Sequence, residues 1–224
     1  MPTDSPRRSR PRIAMLAALP GLLLLGCDPG GQGTDSGNAF QAALTVAGEG
    51  ALVTPAREVA TLELAELYLT EVEFYPCAGG GEDNEIDYRG DLTADLLVGT
   101  DLGSVDLGID SVCTVETEAE PPTGPTIRIE GTSTGGSDFV IESVEEWEWE
   151  IESEVALQQD VLNQLFLFFD LDQWLDGVDP DLGTPGGDGV IVIDASNNTD
   201  ILDAFEANVA LTGSLEEEDD GDDG

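Results

Sequence analysis

Glutamates alternate with other residues along Glu146-Trp147-Glu148-Trp149-Glu150-Ile151-Glu152-Ser153-Glu154-Val155. Strand side chains point alternately to opposite faces. This spacing therefore predicts Trp147, Trp149, Ile151 and Val155 on one side and an acidic ladder, Glu146, Glu148, Glu150 and Glu152, on the other. Carboxylates in neighbouring register repel, so the ladder must be wet, lie near an edge, or be neutralised by ions. Two chemistries fit it: oxygen ligation of calcium by the ladder, or tryptophans displayed as a platform for stacking on sugars. The plain alternative is a core strand with a solvated outer face. A second acidic group, Asp170, Asp172, Asp176, Asp179 and Asp181 with Asp188 nearby, sets carboxylates among glycines, which suits calcium. The EF-hand spacing fails there, because the fifth position from Asp170 is Trp174 and the required glycine is Leu175. Any calcium ligand set would be an irregular loop.

Other chemistries are excluded by residue type. The chain has no histidine, which removes Ser-His-Asp and Cys-His catalysis and any histidine-containing zinc site. Ala78-Gly79-Gly80-Gly81 lacks the Lys-Ser/Thr of a phosphate loop and runs into Glu82 and Asp83. Glycoside hydrolysis needs only two carboxylates at a set separation, so a carboxylate-dependent hydrolase stays as an alternative. Among 48 acidic residues, however, no pair is singled out, and the expectation is that the chain is not an enzyme.

The elements that must position these residues read as strands. Ala39 to Ala47 is mostly apolar, and Ala60 to Tyr75 alternates well enough for a long strand or a bent pair, with Leu62, Leu64, Tyr68, Val72 and Phe74 on one face and Glu63, Glu71 and Glu73 on the other. Further strands are predicted at Val105 to Leu107, Val112 to Glu118, Thr126 to Glu130, Phe139 to Val144, Trp147 to Val155, Leu165 to Asp170 and Val190 to Asp194. Turn residues such as Pro121-Pro122, Gly135-Gly136 and Pro185-Gly186-Gly187 separate them. Helix is minor: Leu171 to Leu175, Ala156 to Asn163, and Asp200 to Asn208 behind a Thr199 or Asp200 cap, where Ile201, Leu202 and Phe205 form one stripe. Short strands broken by Gly and Pro predict an all-β fold, an antiparallel sandwich with minor short helices.

The ends of the chain carry an address. Arg7, Arg8, Arg10 and Arg12 precede an apolar run from Ile13 that closes on Leu24-Leu25-Gly26-Cys27. A charged start, a short hydrophobic core and small residues at the cut mark an export signal, and the run is shorter than the roughly 20 residues that span a bilayer. These residues resemble the signal motif of bacterial lipoproteins. That resemblance implies acylation of Cys27, anchoring to the inner or outer membrane of a bacterial cell envelope, and a flexible spacer beginning Asp28-Pro29-Gly30-Gly31. The implied organisation is a signal peptide over 1–26, the lipidated cysteine and spacer over 27–38, a sandwich domain over 39–213, and a disordered acidic tail over 214–224. With Cys27 committed to lipid, Cys77 and Cys113 form an even pair in an oxidising compartment and are expected to bridge.

Charge sharpens the role of the anchor. Losing the signal removes four arginines and Asp4, which takes the chain from seven basic and 48 acidic residues to three and 47, a net of about −44. Such a surface repels nucleic acid and anionic lipid headgroups, so acyl chains must supply any attachment to a membrane. The body also resembles uncharacterised bacterial lipoproteins with an immunoglobulin-like or transthyretin-like sandwich, through Leu67-Tyr68-Leu69-Thr70-Glu71-Val72-Glu73-Phe74, Asp91-Leu92-Thr93, Ser104-Val105-Asp106-Leu107-Gly108 and Phe168-Phe169-Asp170-Leu171. It implies a binding or structural module, with an envelope protein or a polysaccharide as partner. A calcium-dependent adhesin is the alternative.

Overall fold

The computed structural model of the chain describes residues 40–49, 59–77, 86–120 and 123–211. Cys27 and the stretches read as an export signal, a spacer and an acidic tail lie outside them. The described residues form an all-β, sandwich-like fold with two short helices. One sheet has three strands in the order β4-β1-β9: β4 is Thr100–Asp106, β1 Gln41–Glu49 and β9 Leu162–Asp170. The other has seven strands. Its path runs β10 (Ile191–Ile193), β7 (Asp138–Ser143), β6 (Ile127–Ser133), β2 (Val59–Pro76), β5 (Ser111–Ala119) and β8 (Trp147–Ala156), with β3 (Ile86–Asp95) paired to β2 off that path.

Most pairings are antiparallel, but β1 with β9 and β7 with β10 run parallel. Parallel neighbours need a long crossover. Here β2 through β8 lie between β1 and β9 in the chain, and β8, β9 and the helix α1 (Leu171–Trp174) lie between β7 and β10.

Strand β2 holds the larger sheet together because it is 18 residues long. Its first half pairs with β6, from Val59 to Leu67, and its second half with β5, from Glu71 to Pro76. Strand β3 spans both halves on the opposite edge, from Glu66 to Phe74. Near Thr70 the buried set changes from Ala65, Leu67 and Leu69 to Val72 and Phe74, so the alternation shifts by one residue. A register shift between Leu69 and Glu71 in the β2–β3 pairing marks this place, as a bulge would. This corrects the single-face reading of the segment: Tyr68 is on the outer side, while Leu67 and Leu69 are in the core.

Strand β3 itself had no counterpart in the periodicity. Gly90 falls in its interior, where β3 has the extra residue opposite β2, and glycine within a strand commonly marks such a bulge. The helix expected at Ala156 to Asn163 is instead a turn entering β9. Asp160 is left-handed there at φ 58. The buried Asn163 amide donates to the carbonyls of Gln41, Gln158 and Val161 and accepts from the Gln158 N–H, which satisfies the turn without helical bonds. Helix α2 (Thr199–Ala210) follows left-handed Asn198, not a Thr199 or Asp200 cap. The Asn198 side chain is occupied elsewhere, donating to the Val192 and Thr184 carbonyls.

The core lies between the sheets and continues beneath the two helices. Its widest part is aromatic: Trp149, Phe169, Trp174 and Phe205 are all fully buried. Cys77, one residue beyond β2, and Cys113 in β5 are disulfide-bonded across 36 residues of sequence. Among the described residues, no helix is long and apolar enough to cross a membrane.

Candidate functional site

The outer face of the larger sheet gathers its carboxylates into a grid. Strand β8 supplies Glu148, Glu150 and Glu152, whose partners across β5 are Glu118, Glu116 and Thr114. Strand β2 then sets Glu71 opposite Glu118 and Glu73 opposite Glu116. Two rows result, Glu71-Glu118-Glu148 and Glu73-Glu116-Glu150, each three strands wide. Directly opposed residues in antiparallel strands have Cβ atoms roughly 5 Å apart, so six carboxylates share a small area. Glu71, Glu73, Glu116, Glu118 and Glu148, with Thr117, line a shallow depression of about 230 Å³ including open solvent.

Strand alternation creates this face. Val112, Val115, Thr117 and Ala119 of β5 are buried while Glu116 and Glu118 look outward; Trp149, Ile151 and Val155 of β8 are buried as expected, and Trp147 packs partly buried against the core. The ladder read from the sequence is thus one column of a wider array. Glu146 precedes the first residue of β8 and stands outside it. Glu116 and Glu118 were not anticipated as site residues, although the pattern Val115-Glu116-Thr117-Glu118-Ala119 contains the signal. What no periodicity supplies is the register that brings three strands' glutamates into line.

The electrostatics follow from crowding. Partial burial, reinforced by the neighbouring glutamates, holds the Glu118 carboxyl above its ordinary value. Glu116 is also raised, by burial first, against the lowering effect of the Tyr75 hydrogen bond and with Glu150, Glu73 and Glu148 adding to the rise. The Tyr75 hydroxyl oxygen lies 2.7 Å from a Glu73 carboxylate oxygen and 3.0 Å from one of Glu116, so its single proton is shared between two like charges. Burial and these two acceptors push the Tyr75 phenol well above its usual range. Further along the sheet, Arg128 of β6 donates to Glu130 and Glu142, and its register partner on β2 is Glu66. Arg89 of β3 stands opposite Glu71 in register.

A pH dependence of stability results. Glu206, which accepts from Ser143 at 2.7 Å, is raised by burial as well. Groups whose folded values lie above the ordinary 4.5 give stability that is fully present below that value and lost as pH rises through the folded ones. Asp194, lowered from 3.8 by hydrogen bonds from Ser196 and Asn197, acts oppositely, losing its contribution as pH falls below that value. The melting temperature is therefore expected to be higher at about pH 5 than at about pH 7.5. Glu118→Gln should raise it at the higher pH and flatten the dependence. A melting temperature that climbs between these two pH values would contradict the crowding.

The structure also places the residues of the two other sequence expectations, the tryptophan platform and the calcium loop. Of the two tryptophans read as a platform, Trp149 is fully buried and stacks on Trp174 inside the core, and Trp147 is partly buried against that core. Three of the aspartates read as a calcium loop do separate local work. Asp170 accepts from the Gln173 N–H and caps α1, and Asp179 accepts from the Asp181 N–H at a short 3-10 turn, Pro180–Leu182. Asp181 accepts from Ser133 Oγ at 2.5 Å and from the Gly135 N–H at 2.7 Å. Asp172 lies within α1, and Asp176 gives its backbone carbonyl to the Asn208 amide. Short aspartates are drawn to such turns because their oxygens accept from backbone N–H groups two or three residues on. Among the described residues, no group of three or more Asp, Glu or Cys side chains is placed to hold a metal ion.

No known protein family, curated protein or solved structure matches this chain.

Proposed function

We propose that this chain is an exported, lipid-anchored protein of a bacterial cell envelope, whose β-sandwich body serves as a binding or structural module without catalytic activity. The Cys77–Cys113 disulfide is the observation that carries this reading. Disulfides persist in oxidising compartments, and the bridge uses two of the three cysteines, so Cys27 is the one outside it. Cys27 closes the Leu24-Leu25-Gly26-Cys27 motif behind a basic, apolar leader, where acylation follows export. The acidic grid agrees with such a role, since it gives the body a face that anionic lipid repels. Attachment then rests on acyl chains, of which two or more hold stably.

Cys27→Ser is expected to move the protein from the membrane fraction to the soluble fraction of fractionated cells and to abolish incorporation of a labelled fatty acid. Continued sedimentation of the variant with membranes would sink the anchor assignment.

A further inference from the structure

The described sheet edges differ sharply in how they are defended. Edge strands expose unpaired backbone groups, and charged residues are a usual protection against pairing with another chain. Strand β8 carries Glu148, Glu150, Glu152 and Glu154, β4 carries Asp101 and Asp106, β3 contains four charged residues, and β10 is only three residues long. Strand β9 ends the three-stranded sheet and pairs only with β1 among the described strands, yet Leu162-Asn163-Gln164-Leu165-Phe166-Leu167-Phe168-Phe169 contains no charge at all. Its outer face carries the apolar Leu162, Phe166 and Phe168 beside Gln164 and Asp170. Leu165, Leu167 and Phe169 fill the core, while Phe166 and Phe168 stack on each other outside at 5.9 Å and 8°, half-buried. Leu162 and the preceding Val161 are each 47% exposed, and Ala43, Thr45 and Ala47 of β1 stand beside Gln164, Phe166 and Phe168 in register.

We propose that β9 pairs antiparallel with β9 of a second copy of this chain, joining two three-stranded sheets into one of six. Charge decides the occupant. A basic partner would be drawn to the glutamate grid on the other sheet, not to a neutral strand. Two copies carrying a net charge of −41 each repel as bodies, so they can associate only where the contact itself is uncharged, and a two-fold contact sets a patch against itself. In a register centred on Phe166, the two Phe166 rings adjoin, Phe168 faces Gln164 of the second copy, and Asp170 faces its Leu162. No carboxylate then meets another across the seam.

Sedimentation velocity on the full chain tests this. A dimer is expected at micromolar concentration, with Kd about tenfold or more tighter at about 0.3 M salt than at about 0.02 M, because salt screens the repulsion between the bodies. Phe166→Glu combined with Phe168→Glu should give a monomer. If that variant does not fold, Leu162→Glu, at a half-exposed site, is expected to weaken the dimer about tenfold or more with an unchanged melting temperature. A wild-type chain that stays monomeric at about 100 µM in high salt, a dimer loosened by salt, or one indifferent to Leu162→Glu would overturn the proposal.

Discussion

Replacing both Cys77 and Cys113 with serine is expected to cost about 4 kcal/mol of folding stability and to lower the melting temperature by roughly 10 °C. The size comes from what the bridge encloses. The 36-residue separation contains β3, which pairs with β2 in the larger sheet, and β4, which pairs with β1 in the smaller one. Without the link, the unfolded chain regains the freedom of a loop whose two strands must reach different sheets. Beyond the bridge the β2–β5 pairing holds only to Pro76 opposite Val112, so the Cα atoms of Cys77 and Cys113, 4.6 Å apart, clamp the open end of the strands that carry Glu73, Glu116 and Tyr75. Thermal unfolding of the double variant against wild type, with and without a reductant, measures the effect. Reductant should lower the wild-type curve toward that of the variant and leave the variant unmoved. Equal melting temperatures would show that the bridge contributes little to folding.

How much of this was legible beforehand depended on whether a feature was local or long-range. Strict alternation exposed β8, with Trp149 and Ile151 inward and Glu148 and Glu150 outward, because each residue's face follows from its neighbours alone. Apolar runs likewise located β1, β5, β7 and β9. Alternation misled at Thr70, where one extra residue in the pairing exchanges the faces of β2, and it missed β3, whose interior Gly90 and charged residues hide a strand that is defined by its partner. The Asp170 to Asp181 group suggested a shared ligand because the residues are close in sequence. The fold gives Asp170, Asp179 and Asp181 each a different N–H to hold, and composition does not distinguish the two. The grid lies at the far end of this scale: Glu71, Glu118 and Glu148 come from segments separated by tens of residues, and only the β2–β5–β8 register aligns them.

The second large effect belongs to the aromatic core that supports the grid from behind. Trp149 is fully buried, stacked between Trp147 and Trp174 at 6.3 Å each and edge-on to Phe169 at 5.1 Å, while Trp174 meets Phe205 of α2 at 89°. One side chain thus joins β8, β9, α1 and, through Trp174, α2. Trp149→Ala is expected to cost about 3 to 5 kcal/mol, the range for a buried aromatic reduced to a methyl group, because so rigid a neighbourhood collapses only partly into the void. Trp149→Phe should cost far less than that. The Trp149 Nε1–H is buried without a hydrogen-bond partner among the described residues, so phenylalanine gives up no hydrogen bond to them and removes a polar group whose burial is unfavourable. Urea unfolding of the two variants separates these contributions. If Phe proves as damaging as Ala, the indole N–H must be bonded after all, and the stack would then be held by polarity as well as by packing.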